Sequence, residues 1–131
     1  MALDWTEFLL GSDLTEQPWA DLGAGRAELV VWYLHDVELV GEGVRGLTVL
    51  ELENEVARSP HGLQVSWEEL TDLMRNAEDI HDLVATGHLA PTEVTIDPAT
   101  GDYPGCVAVV EIFDSGPCRV GWDADAAAGG R

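Results

Sequence analysis

From Trp67 to Val84 apolar side chains recur at the period of an α-helix, and a helix with one apolar face must bury that face against another element. Trp67, Leu70, Leu73, Met74, Ala77, Ile80 and Val84 fall on one side of the wheel, and Glu68, Asp72, Arg75, Asp79 and Asp82 on the other. Ser66 and Glu69 form a capping box, in which the hydroxyl accepts from an early backbone N–H and the carboxylate reaches back to the cap. Gly87 supplies a stop. The spacing predicts one long amphipathic helix over 67–86.

The remaining patterns are those of strands and turns. Glu28–His35 is an almost unbroken apolar, β-forming run, as in a strand buried on both faces and central in its sheet. A turn at Gly41, Gly43 and Gly46 follows. From Leu50 the residues alternate, Leu50, Leu52 and Val56 against Glu51, Glu53 and Glu55, which reads as a half-buried strand. Ser59–Gly62 is a turn. Beyond Pro91, strands are expected at Glu93–Asp97, Cys106–Phe113 and Cys118–Trp122, with turns at 97–102 and 114–117. Residues 3–10 read as a short amphipathic helix, and 11–26 as a loop pinned by Trp19. Short turns imply antiparallel neighbours. The expected fold is an α+β, two-layer domain over 1–125. Its antiparallel sheet has about five strands, with the single long helix 67–86 on one face, and a flexible tail follows at 126–131.

Residues 66–110 resemble the C-terminal part of an uncharacterised family of small actinobacterial proteins, in which a helix leads into a strand, an aspartate–proline turn and a glycine–tyrosine–proline corner. The matching residues are Asp97, Pro98, Gly101, Tyr103 and Pro104; Asp102, inserted between Gly101 and Tyr103, departs from that pattern. The resemblance implies an actinobacterial source and no activity.

The charge balance narrows the choice of partners. The chain carries 25 acidic residues, six arginines and no lysine, for a formal net charge of −19 on 131 residues. Such a surface repels nucleic acid and anionic membranes and attracts basic proteins. A GC-rich genome or a salty cytoplasm would produce the same composition without a partner. No stretch reaches the roughly 18 apolar residues of a membrane span. Asp4 and Glu7 stand where a secretory signal would carry basic residues, so a cytoplasmic location is expected.

Catalytic signals are weak. His81–Asp82 resembles locally the pair of metal-dependent HD phosphohydrolases, but adjacent helical residues do not face the same way. His35 and Asp36 end a strand, where neighbours point to opposite faces. His35, His61, His81 and His88 lack metal-ligand spacing and read as scattered single histidines. Cys106 and Cys118 are placed too far apart for a disulfide and read as small apolar residues. Asp97 and Asp102 lack the alternation of a calcium loop. The expectation is no catalytic residue, no metal and no cofactor.

The acidic faces carry the functional expectation. Glu51, Glu53 and Glu55, roughly 6.6 Å apart along a strand, together with Glu68, Asp72, Glu78, Asp79 and Asp82 on the helix, would bind a basic protein. The expected role is that of an immunity- or antitoxin-like inhibitor of a toxin or nuclease. A second reading is a small enzyme or ligand-binding domain, with a pocket between helix and sheet lined by Trp32, Tyr33, Trp67 and Met74 and with His35 or His81 as the acid–base group. A DNA mimic and a secretion chaperone are further alternatives.

Overall fold

A computed structural model describes residues 3–8, 30–91, 96, 97, 100, 103 and 105–123. Within them the chain runs β1 (Asp4–Phe8), β2 (Val31–Gly41), α1 (Val49–Ala57), β3 (Leu63–Val65), α2 (Trp67–Arg75), β4 (Ala77–His88), β5 (Ala108–Ile112) and β6 (Cys118–Trp122). The strands form one six-stranded sheet in the order β1-β6-β5-β4-β2-β3, and every neighbouring pair is antiparallel. The class is therefore α+β. No helix among the described residues is long and apolar enough to cross a membrane.

The long helix expected over 67–86 is instead a nine-residue helix followed by a twelve-residue strand. The capping box is present: Ser66 Oγ accepts from Glu69 N–H at 2.9 Å, and Glu69 Oε1 accepts from Ser66 N–H at 2.9 Å. The helix buries Leu70, Leu73 and Met74 and ends at Asn76. Beyond it, the six consecutive residues Leu83–His88 are all buried. A helix lying on a sheet buries one stripe, whereas a strand with both faces covered buries every residue. Pairing with β2 on one edge and β5 on the other makes β4 such a strand, and this tertiary context overrides the helical period of Ile80 and Val84.

The opposite exchange occurs at 49–57, where the expected strand is a helix. Thr48 Oγ1 accepts from Glu51 N–H at 3.2 Å, and Glu51 Oε1 accepts from Thr48 N–H at 3.0 Å, a second capping box. Leu52 and Val56, four residues apart, become the buried stripe, while Leu50 is left 66% exposed. The alternation of Leu50–Val56 satisfies both periods, and the cap selects the helix. The amino-terminal segment also differs from expectation, since residues 4–8 pair with β6 as a strand. Edge pairing satisfies its backbone groups without a helical turn.

The predicted strand at 28–35 corresponds to β2 over 31–35, paired on both sides, with Trp32, Tyr33 and Leu34 buried; β2 then continues to Gly41, and residues 28 and 29 lie outside the described residues. Cys118–Trp122 is a strand as expected. Thr100 N–H donates to the Asp97 carbonyl at 3.2 Å. The rest of the 97–102 turn, the Glu93–Asp97 strand apart from its last two residues, the 11–26 loop and the tail lie outside the described residues.

Two apolar clusters occupy opposite faces of the sheet. The larger joins Leu52, Val56, Leu70, Leu73 and Met74 of the helices to Trp32, Leu34, Val37, Leu39, Leu83, Ala85, Val110, Ile112, Cys118 and Val120 of the strands. The smaller consists of Val84, Tyr103, Cys106 and Val109, with Leu3 and Ile96 against it. Cys106 and Cys118 thus stand on opposite faces, and both are free thiols.

The Thr48→Ala variant is expected to lose about 1 kcal/mol of stability in urea denaturation, the typical worth of an N-cap side chain. A strand at 49–57 would give no such loss.

Candidate functional site

Strand alternation places neighbouring residues on opposite faces, but β-bulges change that rule locally. Leu34 pairs with Ala85 and Asp36 with Val84, so His35 is an extra residue in β2. Glu38 pairs with Asp82 and Leu39 with Ile80, so His81 is an extra residue in β4, as is Glu78 between the Asp79 and Ala77 pairings. The first two bulges each bring a histidine onto the same face as the aspartate that follows it, the face opposite the two helices. The expectation that neither His–Asp pair shares a face is therefore overturned.

The half of this face around His35 is buried and polar. His35 Nε2 lies 2.7 Å from Thr86 Oγ1, which lies 3.0 Å from His88 Nε2. His88 Nδ1 lies 3.2 Å from the Gly105 carbonyl. That carbonyl can only accept, so Nδ1 carries the proton and Nε2 accepts from the Thr86 hydroxyl. His35 Nε2–H then donates to Thr86 Oγ1. These assignments follow from the hydrogen-bond network. The edge of the Tyr33 ring meets the His88 ring, with centroids 5.5 Å apart. Gly62, at φ +91°, lies so close to the His35 ring that an added Cβ would stand 2.8 Å from it. Burial and the charge of His88 bring the pKa of His35 down to about 4; burial also lowers that of His88, against the Gly105 hydrogen bond. The histidines expected to be scattered thus include two joined through one threonine.

Cys106 Sγ lies 3.7 Å from His88 Nε2, the outline of a thiol–imidazole pair. Burial pushes the Cys106 thiol up to about 11 and, with Glu111 adding, the Cys118 thiol up to about 12. Both are neutral thiols at physiological pH, the protonation state of packing residues rather than of nucleophiles.

A second polar group crosses the same face. Glu111 is buried, with Arg119 Nη1 donating to its Oε1 at 2.6 Å and the Tyr103 hydroxyl donating to its Oε2. Burial first, and the Glu111 carboxylate second, push the Tyr103 hydroxyl above its ordinary range. Arg119 also stacks over the Trp5 ring at 4.5 Å and approaches Glu7 at 3.6 Å. Among the described residues, no buried side-chain nitrogen or oxygen lacks a partner.

Toward the other end the face is acidic. Glu38 and Asp82 are directly opposite, Asp36 is two residues before Glu38, and Asp79 is opposite Val40. Asp114, in the β5–β6 turn, donates its backbone N–H to Asp82 Oδ1 at 3.1 Å. Burial raises the pKa of the Asp36 carboxyl, and repulsion from Asp82, Glu38 and Glu53 raises it further, against a hydrogen bond from the Val37 backbone. All four described arginines are engaged elsewhere: Arg45 with Glu69, Arg58 with Glu55, Arg75 with Asp72, and Arg119 with Glu111 and Glu7. His81 is the basic side chain within ion-pairing range of these carboxylates among the described residues, 3.7 Å from Asp114 and 4.0 Å from Asp82.

The acidic residues expected to act together are thus redistributed. Asp79 and Asp82 belong to this face, and Glu78 is exposed at its bulge. The ladder of Glu51, Glu53 and Glu55 does not exist, because these residues lie on α1. Glu51 caps that helix, and the Thr48 backbone N–H holds its carboxyl below the usual range. Glu55 pairs with Arg58 at 3.3 Å, and Glu53 adds to the field at Asp36. Glu68 and Asp72 are on α2. Glu38 and Asp114 were not singled out by the sequence, where only the general acidity signalled them, and Asp36 was considered only as the neighbour of His35. The pocket expected between helix and sheet does not form as drawn: Trp32 stacks on Trp67 at 5.2 Å, Trp32 and Met74 are core residues, and Tyr33 and His35 lie on the other face.

Comparison with protein-family models, curated proteins and solved structures finds no match to this chain.

Arg119→Ala is expected to cost about 2 kcal/mol in chemical denaturation, since it leaves the buried Glu111 carboxylate one donor short. A pH effect follows from His35. The unfolded histidine, with a pKa near 6.5, takes up a proton before the folded one, near 4, so stability falls as pH drops through that window. His88 acts in the same direction. The raised pKa of Asp36 acts in the opposite one, because the folded state is protonated first. Melting curves between pH 7 and pH 4 should therefore show a smaller loss in His35→Asn than in the parent chain.

Proposed function

We propose that this chain is a non-catalytic, cytoplasmic acidic protein that binds a basic protein partner, in the manner of an immunity or antitoxin inhibitor covering the cationic site of a toxin or nuclease. The carrying observation is the uncompensated carboxylate face of Asp36, Glu38, Asp79, Asp82 and Asp114, from which every described arginine is absent. Like charges directly across a strand pair are destabilising. Arginines that could relieve them are spent on the helix face, the helix caps and Glu111. A partner bringing arginines or lysines would relieve that repulsion on binding, and its approach would be accelerated by the −19 net charge.

The binding surface in this proposal is the bulged β2–β4 face, not the Glu51–Glu55 segment. Four of its five carboxylates, those of Asp36, Glu38, Asp79 and Asp82, stand on paired strands, so less of their placement is left to binding. The buried His35–Thr86–His88 chain beside it supports the strands that carry them.

The test is a charge reversal. Glu38→Lys with Asp82→Lys should abolish low-salt retention of a basic protein from native lysate, while Glu68→Lys on α2 should leave it intact. Retention unaffected by the double reversal, or absent from the parent chain, would overturn the proposal. Glu38→Gln should separate stability from binding. It is expected to raise unfolding stability by about 0.5 kcal/mol by relieving the cross-strand repulsion, while lowering affinity for the retained protein.

A further inference from the structure

We propose that Glu38, His81 and Asp82 form a binding site for a first-row divalent transition cation, with Zn²⁺ the best match. The three residues each offer a ligand atom, and these atoms lie within 4.8 Å of one another. An imidazole nitrogen with two carboxylate oxygens is a donor set for such a cation, whereas an all-oxygen cluster would suit calcium or magnesium. Donors of a tetrahedral zinc site stand about 3.4 Å apart at bond lengths near 2.1 Å. Glu38 is exposed and His81 and Asp82 are partly so, which leaves the three side chains free to rotate toward that spacing on binding. The fourth position would face solvent.

The arrangement is one that only the bulge makes. Without the extra residue at His81, regular alternation would turn its ring away from Asp82 and Glu38. With it, three residues from two paired strands converge.

The surrounding turn orients two of the ligands, and it does so through groups that are not ligands themselves. Ser115 N–H donates to the His81 carbonyl at 2.8 Å, and Ser115 Oγ lies 3.3 Å from His81 Nδ1. With Nδ1–H donating to that hydroxyl, the Nε2 lone pair faces the carboxylates. Asp114 N–H holds Asp82 Oδ1, so Oδ2 is the oxygen turned toward His81 Nε2, 4.0 Å away. This is the outer-shell pattern that fixes the tautomer of a metal-bound histidine and steadies a metal-bound carboxylate.

The experiment is a titration of the full chain with ZnCl₂ alone, followed by calorimetry and by the histidine ring resonances in NMR. One saturable site is expected, shifting the His81 ring and raising the melting temperature. His81→Ala and Glu38→Gln should each weaken binding by at least tenfold. Ser115→Ala should weaken it by about tenfold, the usual effect of removing an outer-shell partner. His61→Ala and Glu68→Gln should bind as the parent does. Absence of a saturable site would overturn the proposal, as would binding that survives both His81→Ala and Glu38→Gln. If His81→Ala fails to fold by circular dichroism, Glu38→Gln decides alone, because among the described residues the exposed Glu38 side chain holds no hydrogen bond that the substitution would break. The titration contains no protein partner, so its failure leaves the partner-binding proposal standing, and the reverse also holds.

Discussion

The pairing of β4 on both of its edges is the constraint from which the rest of the structure follows. Ala77–His88 meets β2 along nearly its whole length and β5 over Leu83–Gly87. Its backbone groups are satisfied by two neighbours, and six consecutive side chains are removed from water. β3 and α1 reach the sheet through β2, and β6 and β1 reach it through β5. Loss of β4 would divide the sheet into two parts with nothing between them.

That same strand also decides how the two faces differ. Leu83 and Ala85 enter the cluster shared with the helices, while Val84, Thr86 and His88 point the other way. On the helix side burial is entirely apolar. On the far side it is partly polar, and it remains tolerable because every buried side-chain nitrogen and oxygen among the described residues has a partner. The bulges at His35 and His81 then set the positions of the histidines. One delivers a ring into the buried hydrogen-bonded chain, the other into a ring of carboxylates.

Charge placement shows a division of labour. Arg45 and Arg119 serve the fold, the first holding Glu69 at the start of α2 and the second neutralising buried Glu111. With so few cations in the chain, the carboxylates of β2 and β4 repel one another. Exposed ion pairs contribute little to stability, so their absence is tolerable. That repulsion is what a basic side chain or a metal ion would relieve under the two proposals above. The buried hydrogen-bonded half and the acidic half therefore have different roles: the first rigidifies the sheet, the second presents charge.

Local sequence determined the signals that act within a few residues. The Ser66–Glu69 box starts α2, the run ending at His35 becomes an interior strand, and Cys118–Trp122 alternates as a strand with one face in the core. Those elements were legible because a cap, an apolar run and a turn each satisfy nearby backbone groups. The Thr48–Glu51 cap was equally local, but it was masked by an alternation that also fits a strand. What only the tertiary structure decided was the fate of 77–88, where the helical period of Ile80 and Val84 was outweighed by partners far away in sequence. The positions of the bulges depend on the register between β2 and β4, and register is not a property of either strand alone. For that reason the acidic composition was visible in the chain, while the meeting of Glu38, His81 and Asp82 was not: one residue of register shift would turn the histidine to the opposite face and leave the carboxylates without it.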